Sequence, residues 1–198
     1  MEEAFKRFAD QVPQKIYTET EKYHSADIII FRPQAFLIAP NIIMPDYHFA
    51  MPFSTPPPMS IDNREYQFRK GRMLALAPGS KLLCALEAPA RPYIAMNIKD
   101  AFFKETSRVA TGKEVTSFSR VDNPYSPILI DLIHSFEVEI ENFRCSSPLM
   151  LQSISIQIVI QLLRATEDYF EKKNNRCITA ISPWHRSICM LTIIPTLK

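Results

Sequence analysis

The alternation of hydrophobic and polar positions changes period twice along this chain. In residues 2–12, Phe5, Phe8, Ala9 and Val12 recur at helical spacing, which predicts a short amphipathic helix docking on the body. From about Asp27 to Ile98 the pattern breaks into short β-prone runs: DIIIF, AFLI, IIMPDYHFAMPF, EYQFR, RMLALA, KLLCALEA and PYIAMNI. Turn signals part them at Arg32-Pro33, Pro56-Pro57-Pro58, Asp62-Asn63, Lys70-Gly71 and Pro78-Gly79. Several short strands at this spacing predict an antiparallel sandwich or barrel. Gly71 and Gly79, two of only three glycines, bracket the run RMLALA, where each permits a tight reversal that a residue with a Cβ resists.

Within Ile43 to Phe53, successive side chains of an extended strand point oppositely. Ile43, Tyr47, Phe49, Met51 and Phe53 then share one face, and Met44, Asp46, His48 and Ala50 the other. The aromatic face is expected to point inward, where its rings either fill the core or line a pocket for a small molecule.

After Ile98 the period becomes helical. KDAFFKETSRVATG reads as a helix closed by Gly112, a suitable C-terminal cap, followed by a strand-like piece, EVTSFSRV, and a turn or helix-start signal at Asp122-Asn123-Pro124. Two long helices are predicted next. In the first, Leu129, Leu132, Ile133, Phe136, Ile140 and Phe143 form an apolar stripe, with Asp131, Glu137, Glu139 and Glu141 mostly off it. The second, roughly Pro148 to Phe170, opens with Ser146-Ser147-Pro148 and is apolar nearly all round. One stripe carries Leu151, Ile154, Ile158 and Leu162, and another Leu149, Ile156, Ile160 and Leu163. A barrel covers one such stripe, so the second meets the preceding helix, another chain, or both; burial within one subunit is the competing reading.

Composition narrows the possibilities. A chain of 198 residues, 46% hydrophobic with 13 phenylalanines, suits one cored domain with extensions. A net charge of +2 from 23 basic and 21 acidic side chains lacks the electrostatic footprint of a nucleic-acid binder. The cysteines Cys84, Cys145, Cys177 and Cys189 form no CxxC pair or zinc-ligand spacing, which fits a reduced, cytoplasmic compartment. The charged N-terminus lacks a secretory core, and the most apolar stretch, Ile154 to Leu163, is too short to span a bilayer and carries Gln157 and Gln161. No membrane association is expected.

Candidate chemistry is sparse. Neither a GxSxG elbow, a P-loop nor a GxGxxG fingerprint occurs. A catalytic metal needs about three converging ligands, yet of His24, His48, His134 and His185 only His48 lies clearly within the strands, opposite the aromatic face. Cys84 reads as a small buried hydrophobe and His134 as a surface or interface residue. No enzyme, cofactor or metal is expected.

The segment "PDYHFAMPFSTPPPMSIDNREYQFRKGRMLALAPGSKLLC" (Pro45 to Cys84) resembles the cupin-type sensor domain of AraC-family transcriptional regulators. "PYIAMNIKDAFFKE" resembles that family's last barrel strand running into a helix, and "LIDLIHSFEVEIEN" with "LMLQSISIQIVIQLLRA" its paired helices. The resemblance spans roughly Ala26 to Thr166. It implies a mainly β fold with α, a cupin-like antiparallel β-barrel of jelly-roll type followed by a pair of antiparallel helices. It also implies an unidentified small-molecule effector in the barrel and a homodimer through the helices. Pocket candidates are Tyr47, Phe49, Met51, Tyr66 and Tyr93; dimer candidates are Ile154, Ile158, Leu162, Leu132 and Phe136. A metal-dependent enzyme of the cupin class is the lesser alternative, because Ser80, Lys81 and Leu82 follow Pro78-Gly79 where a further histidine would stand.

The expected organisation is a helical arm over 1–25, the barrel over 26–120, the helix pair over 121–173 and an atypical tail over 174–198. Residues 171–198 are too few for the helix-turn-helix domain of the family, so DNA contact is expected only through a domain missing from this chain. The tail reads either as a genuine terminus that packs Trp184 and Ile193 on the body, or as the product of a shifted reading frame. The sequence points to the effector-binding and dimerisation module of an AraC-like regulator, with a stand-alone small-molecule-binding cupin as the alternative.

Overall fold

The computed structural model describes residues 5–34, 39–84, 92–143 and 147–166. The tail over 174–198 with Trp184 and His185, the cysteines Cys145, Cys177 and Cys189, and the Cys84 side chain lie outside the described residues. Two short helices open the chain, α1 (Lys6–Ala9) and α2 (Gln14–Glu19), followed by β1 (Glu21–His24), β2 (Ile28–Arg32), β3 (Ala39–Ile43) and β4 (Tyr47–Pro52). Then come β5 (Met59–Ile61), β6 (Arg64–Tyr66), β7 (Arg72–Leu76), β8 (Lys81–Cys84) and β9 (Tyr93–Ile98). The helix α3 (Asp100–Thr111), the strand β10 (Asp122–Pro124), α4 (Pro127–Phe143) and α5 (Pro148–Ala165) complete it.

The strands form two antiparallel sheets, of order β1-β2-β9-β4-β7-β10 and β3-β8-β5-β6. They face one another as a cupin-like sandwich, and no pairing among the described residues closes them into a barrel. The run from Ile43 to Phe53 is not one strand. It breaks at Met44-Pro45-Asp46, where the chain leaves the smaller sheet for the larger, and proline, which has no N–H to give a ladder, stands at the break. The hairpin of β5 and β6 turns on Asp62 and Asn63, both with positive φ (50° and 64°), as a two-residue turn of the twist-matching type requires. Gly71 and Gly79, at φ 78° and 88°, flank β7 as expected. A Cβ at either would meet nothing within 4 Å, so glycine is needed for its conformation and not for space.

Three further local expectations change. Of the helix expected over residues 2–12, only Lys6–Ala9 is α-helical among the described residues, and a second short helix, Gln14–Glu19, follows Pro13. The piece EVTSFSRV carries no strand and serves as packing, with Val115 fully buried. Asp122 to Pro124, expected as a turn or helix start, pairs with β7 as an edge strand, where Pro124 is tolerated. The helices α3, α4 and α5 follow the pattern closely, α3 ending on Gly112 at φ 78°.

The six-stranded sheet is buried on both faces. One face carries Ile28, Ile30, Tyr47, Phe49, Met51, Met73, Ile94, Met96 and Ile98, and it packs against Phe103, Leu129, Ile133, Phe136, Ile158 and Leu162 of the helices. The other face, with Ile29, Phe31, Leu74, Leu76 and Ala95, meets Ile42 and Ile61 of the smaller sheet and Phe5 and Phe8 of the N-terminal segment. By length and composition α5 could cross a membrane, yet it lays Leu151, Ile154, Ile158, Val159, Leu162 and Leu163 against the protein's own core.

A bidentate ion pair ties sheet to helix. Arg32 Nε and Nη2, at the end of β2, donate to Glu137 Oε1 and Oε2 of α4, each at 2.6 Å. Tyr23 adds a second tie from β1: its hydroxyl lies 2.8 Å from Glu141 Oε1 and 2.5 Å from Glu21 Oε1, its one proton shared between the two carboxylates. Burial, with those two acceptors, pushes the Tyr23 phenol well above its ordinary range.

Candidate ligand-binding cavity

A cavity of about 90 Å³, partly open to solvent, lies between the two sheets. Its floor exists because small side chains stand opposite one another: Ala50 on β4 pairs across the ladder with Ala95 on β9, on the inner face of the larger sheet. Ile42, Met44 and Leu82 wall it from the smaller sheet, and Phe31, Leu74 and Phe68 close its sides. The N-terminal segment covers it with Phe8, Val12, Ile16 and Tyr17.

Ring packing and one side chain hold that cover. Phe8 lies 5.6 Å from Phe31 and Tyr17 lies 6.1 Å from the same ring, centroid to centroid. Gln11 then acts as a peptide bond would. Its amide nitrogen donates to the Ile43 carbonyl at 2.9 Å, and its amide oxygen accepts the Ile43 N–H at 2.8 Å, fastening the segment to β3.

Among the described residues, His48 is the one imidazole in the lining. Its ring stacks on Phe8 with centroids 5.9 Å apart, and its Nδ1 is 2.6 Å from Oδ1 of Asn97, its cross-strand partner on β9. Burial lowers the His48 pKa to about 4, the bond to Asn97 opposing that shift in part, so the ring is neutral at pH 7. Asn97 is 1% exposed, and its Nδ2 is buried without a hydrogen-bond partner. No lining residue is Lys, Arg, Asp or Glu among the described residues. Nor do three His, Cys, Asp or Glu side chains converge there as a metal site requires, again among the described residues.

The five pocket candidates divide. Tyr93 lines the cavity. Tyr66 is one ring removed, stacked at 6.0 Å on Phe68, which does line it. Tyr47, Phe49 and Met51 do not reach it. All three are fully buried on the opposite face, where Tyr47 stacks on Phe103 at 4.1 Å and its hydroxyl donates to the Val115 carbonyl. The alternation of β4 is as expected; what differs is which face meets the cavity. Rings fill space, so the aromatic face packs solidly on the helices and the face bearing Ala50 and His48 leaves room.

The five dimer candidates lie in or against the core of this chain. Phe136, Ile158 and Leu162 are 0% exposed and Ile154 is 7% exposed within this chain, and Leu132 is partly buried against the same cluster. The sheet and the neighbouring helices of the same core cluster cover that stripe. Apolar side chains exposed on α5 belong to the other side: Leu149, Met150 and Ile156.

Sequence reasoning missed Ala50, Ala95 and the N-terminal cover. The alternation of large and small residues along β4 was the available signal, since the cavity forms beside the alanines.

No known family model matches the chain, and no curated protein matches it. Among solved structures its neighbours include ToxT, the AraC-like transcriptional activator CuxR and a Clostridium difficile EutQ protein. It is similar to an apo ToxT from Vibrio cholerae at 9% identity and a TM-score of 0.48, covering 76% of this chain and 60% of that one. For the AraC-like transcriptional activator CuxR the values are 9% and 0.40, covering 80% and 65%. For a Vibrio cholerae ToxT bound to (E)-4-(8-methylnaphthalen-1-yl)but-3-enoic acid they are 12% and 0.39, covering 75% and 60%. The chain thus spans about three-fifths of the length of the ToxT structures it matches.

Proposed function

We propose that this chain is the effector-binding domain of an AraC-like transcriptional regulator, a binding module and not an enzyme, and that the cavity between its sheets holds the effector. The observation that carries this reading is an apolar cavity built by a facing pair of alanines and covered by a pinned N-terminal segment. Supporting it is the order of strand, turn and helix segments from Ala26 to Thr166, which resembles that family's sensor domain. Cavities of this kind, apolar with a few placed polar groups, are the usual form of small-molecule sites.

A thermal-shift titration with uncharged apolar compounds of roughly ten heavy atoms tests it. Saturating ligand at about 100 times its Kd stabilises by about 2.7 kcal/mol. Ala50→Leu, which places a branched side chain in the cavity, removes the shift. A ligand-induced shift that persists in both Ala50→Leu and Ala95→Leu would place binding elsewhere and refute the reading.

Homodimerisation belongs to the same proposal, through the exposed side of α5. Light scattering then gives a dimer mass for the unmodified chain and a monomer mass for Leu149→Glu, because an unpaired charge is strongly disfavoured within an apolar contact. A monomer mass for the unmodified chain at micromolar concentration sinks this part alone.

A further inference from the structure

We propose that the cavity selects an uncharged apolar molecule carrying one hydrogen-bond donor, a hydroxyl above all, and seats that donor on Nε2 of His48. The inference rests on the cavity being a ligand site and adds the chemistry that the site takes.

His48 and Asn97 face one another across β4 and β9, on the side of the sheet that bounds the cavity. With the Asn97 amide oxygen toward Nδ1 and able only to accept, we infer the tautomer in which Nδ1 of His48 carries the proton and Nε2 presents a lone pair. Nε2 makes no hydrogen bond to any described residue. Phe8, Ala50, Leu74 and Ala95 line the same cavity and offer side chains of carbon alone. A histidine–asparagine pair serving only to complete a core would leave neither member wanting a partner. Here the histidine holds an unused acceptor and the asparagine an unused donor, with Asn97 Nδ2 fully buried.

Charge decides which ligands can use that acceptor. A carboxylate would bring acceptor oxygens to a lone pair and find no cationic side chain among the described lining residues. Burial disfavours protonation of His48, so the ring does not supply the missing charge. An ammonium could donate to Nε2, but it would leave water for a lining that holds no carboxylate among the described residues. A hydroxyl gives its proton to Nε2 and leaves its apolar body to Phe31, Met44 and Leu74.

Three probes of nearly equal size separate these cases: 4-ethylphenol, a neutral donor; 4-methylanisole, its isomer without a donor; and 4-methylbenzoate, an anion. Each is titrated calorimetrically against the full chain at pH 7, and the ¹⁵N resonance of His48 Nε2 is followed in parallel. The phenol is expected to bind about fivefold to tenfold more tightly than the anisole, the worth of one net hydrogen bond, and the benzoate most weakly. His48→Phe should bring the phenol down to the level of the anisole. The Nε2 resonance should move upfield with the phenol alone, and this reading on the unmodified chain decides the matter if the variant does not fold. Equal binding of all three, tighter binding of the benzoate, or tight phenol binding with an unmoved Nε2 resonance overturns the inference while leaving the cavity a ligand site. Binding of none of the three overturns the ligand-site reading itself.

Discussion

Removing Arg32 isolates the energetics of the joint between sheet and helix. Arg32→Met keeps much of the apolar stem and deletes the guanidinium, leaving Glu137 with neither of its two 2.6 Å bonds and a side chain only 7% exposed. Stranding a fully buried carboxylate costs roughly 3–5 kcal/mol. Because the Arg32 side chain is 24% exposed, water reaches the pair from one side and screens it, so about 2–3 kcal/mol is expected here. In a chain of this size that lowers the Tm by roughly 5–10 °C. Adding Glu137→Leu removes the stranded charge, and the double variant should return to within about 1 kcal/mol of the parent, since apolar replacements of buried pairs are often nearly neutral. Urea unfolding followed by far-ultraviolet circular dichroism measures all four corners of the cycle. His134 Nδ1 lies 3.8 Å from Glu137 Oε2 and could offset part of the loss, so the cycle is repeated in a His134→Ala background. An Arg32→Met variant within 0.5 kcal/mol of the parent, or a double variant no more stable than the single, would refute the account.

Three further outcomes are expected. Tyr47→Phe leaves the Val115 carbonyl without the hydroxyl that donates to it in the core, costing about 1–2 kcal/mol in thermal unfolding; no change would show that the bond adds nothing net. Gly79→Ala costs about 1 kcal/mol from backbone strain alone, since φ is 88° and a Cβ meets no neighbour; a neutral result would mean the turn relaxes freely. For His48, whose folded pKa is lowered to about 4 from 6.5, the unfolded chain takes up the proton first, so stability is full above pH 6.5 and falls by about 3 kcal/mol as pH drops towards 4. Comparison with His48→Phe isolates that slope from Asp27 and Asp46, whose pKa values burial raises and whose contributions run the opposite way; parallel pH profiles for the two proteins would count against it.

Local chemistry made much of the fold readable in the sequence. Asp62-Asn63, Gly71, Gly79 and Gly112 mark turns or caps because each sits where φ must be positive, and the stripes of α4 and α5 follow from helical period alone. The alternation of β4 separated His48 and Ala50 from Tyr47, Phe49 and Met51, but a period of two cannot say what covers each face. Here both are covered, one by helices and one by a second sheet, and the assignment turned on packing between segments far apart in the chain. Glu137 shows the same limit. Its place off the apolar stripe gives no sign of burial, and only the approach of Arg32, 105 residues away, makes a buried carboxylate tolerable.

Gln11 joins two hazards that are usually separate. An edge strand invites a stray strand wherever its N–H and C=O groups stand open, and β3 is the outer strand of its sheet, with Ile43 exposed beside it. By giving its carboxamide to both Ile43 backbone groups, Gln11 occupies that edge with a side chain instead of a strand. Whatever lifts the N-terminal segment from the cavity therefore also bares a sticky margin of the sandwich, so uncapping the cavity and aggregating along β3 are two faces of one event.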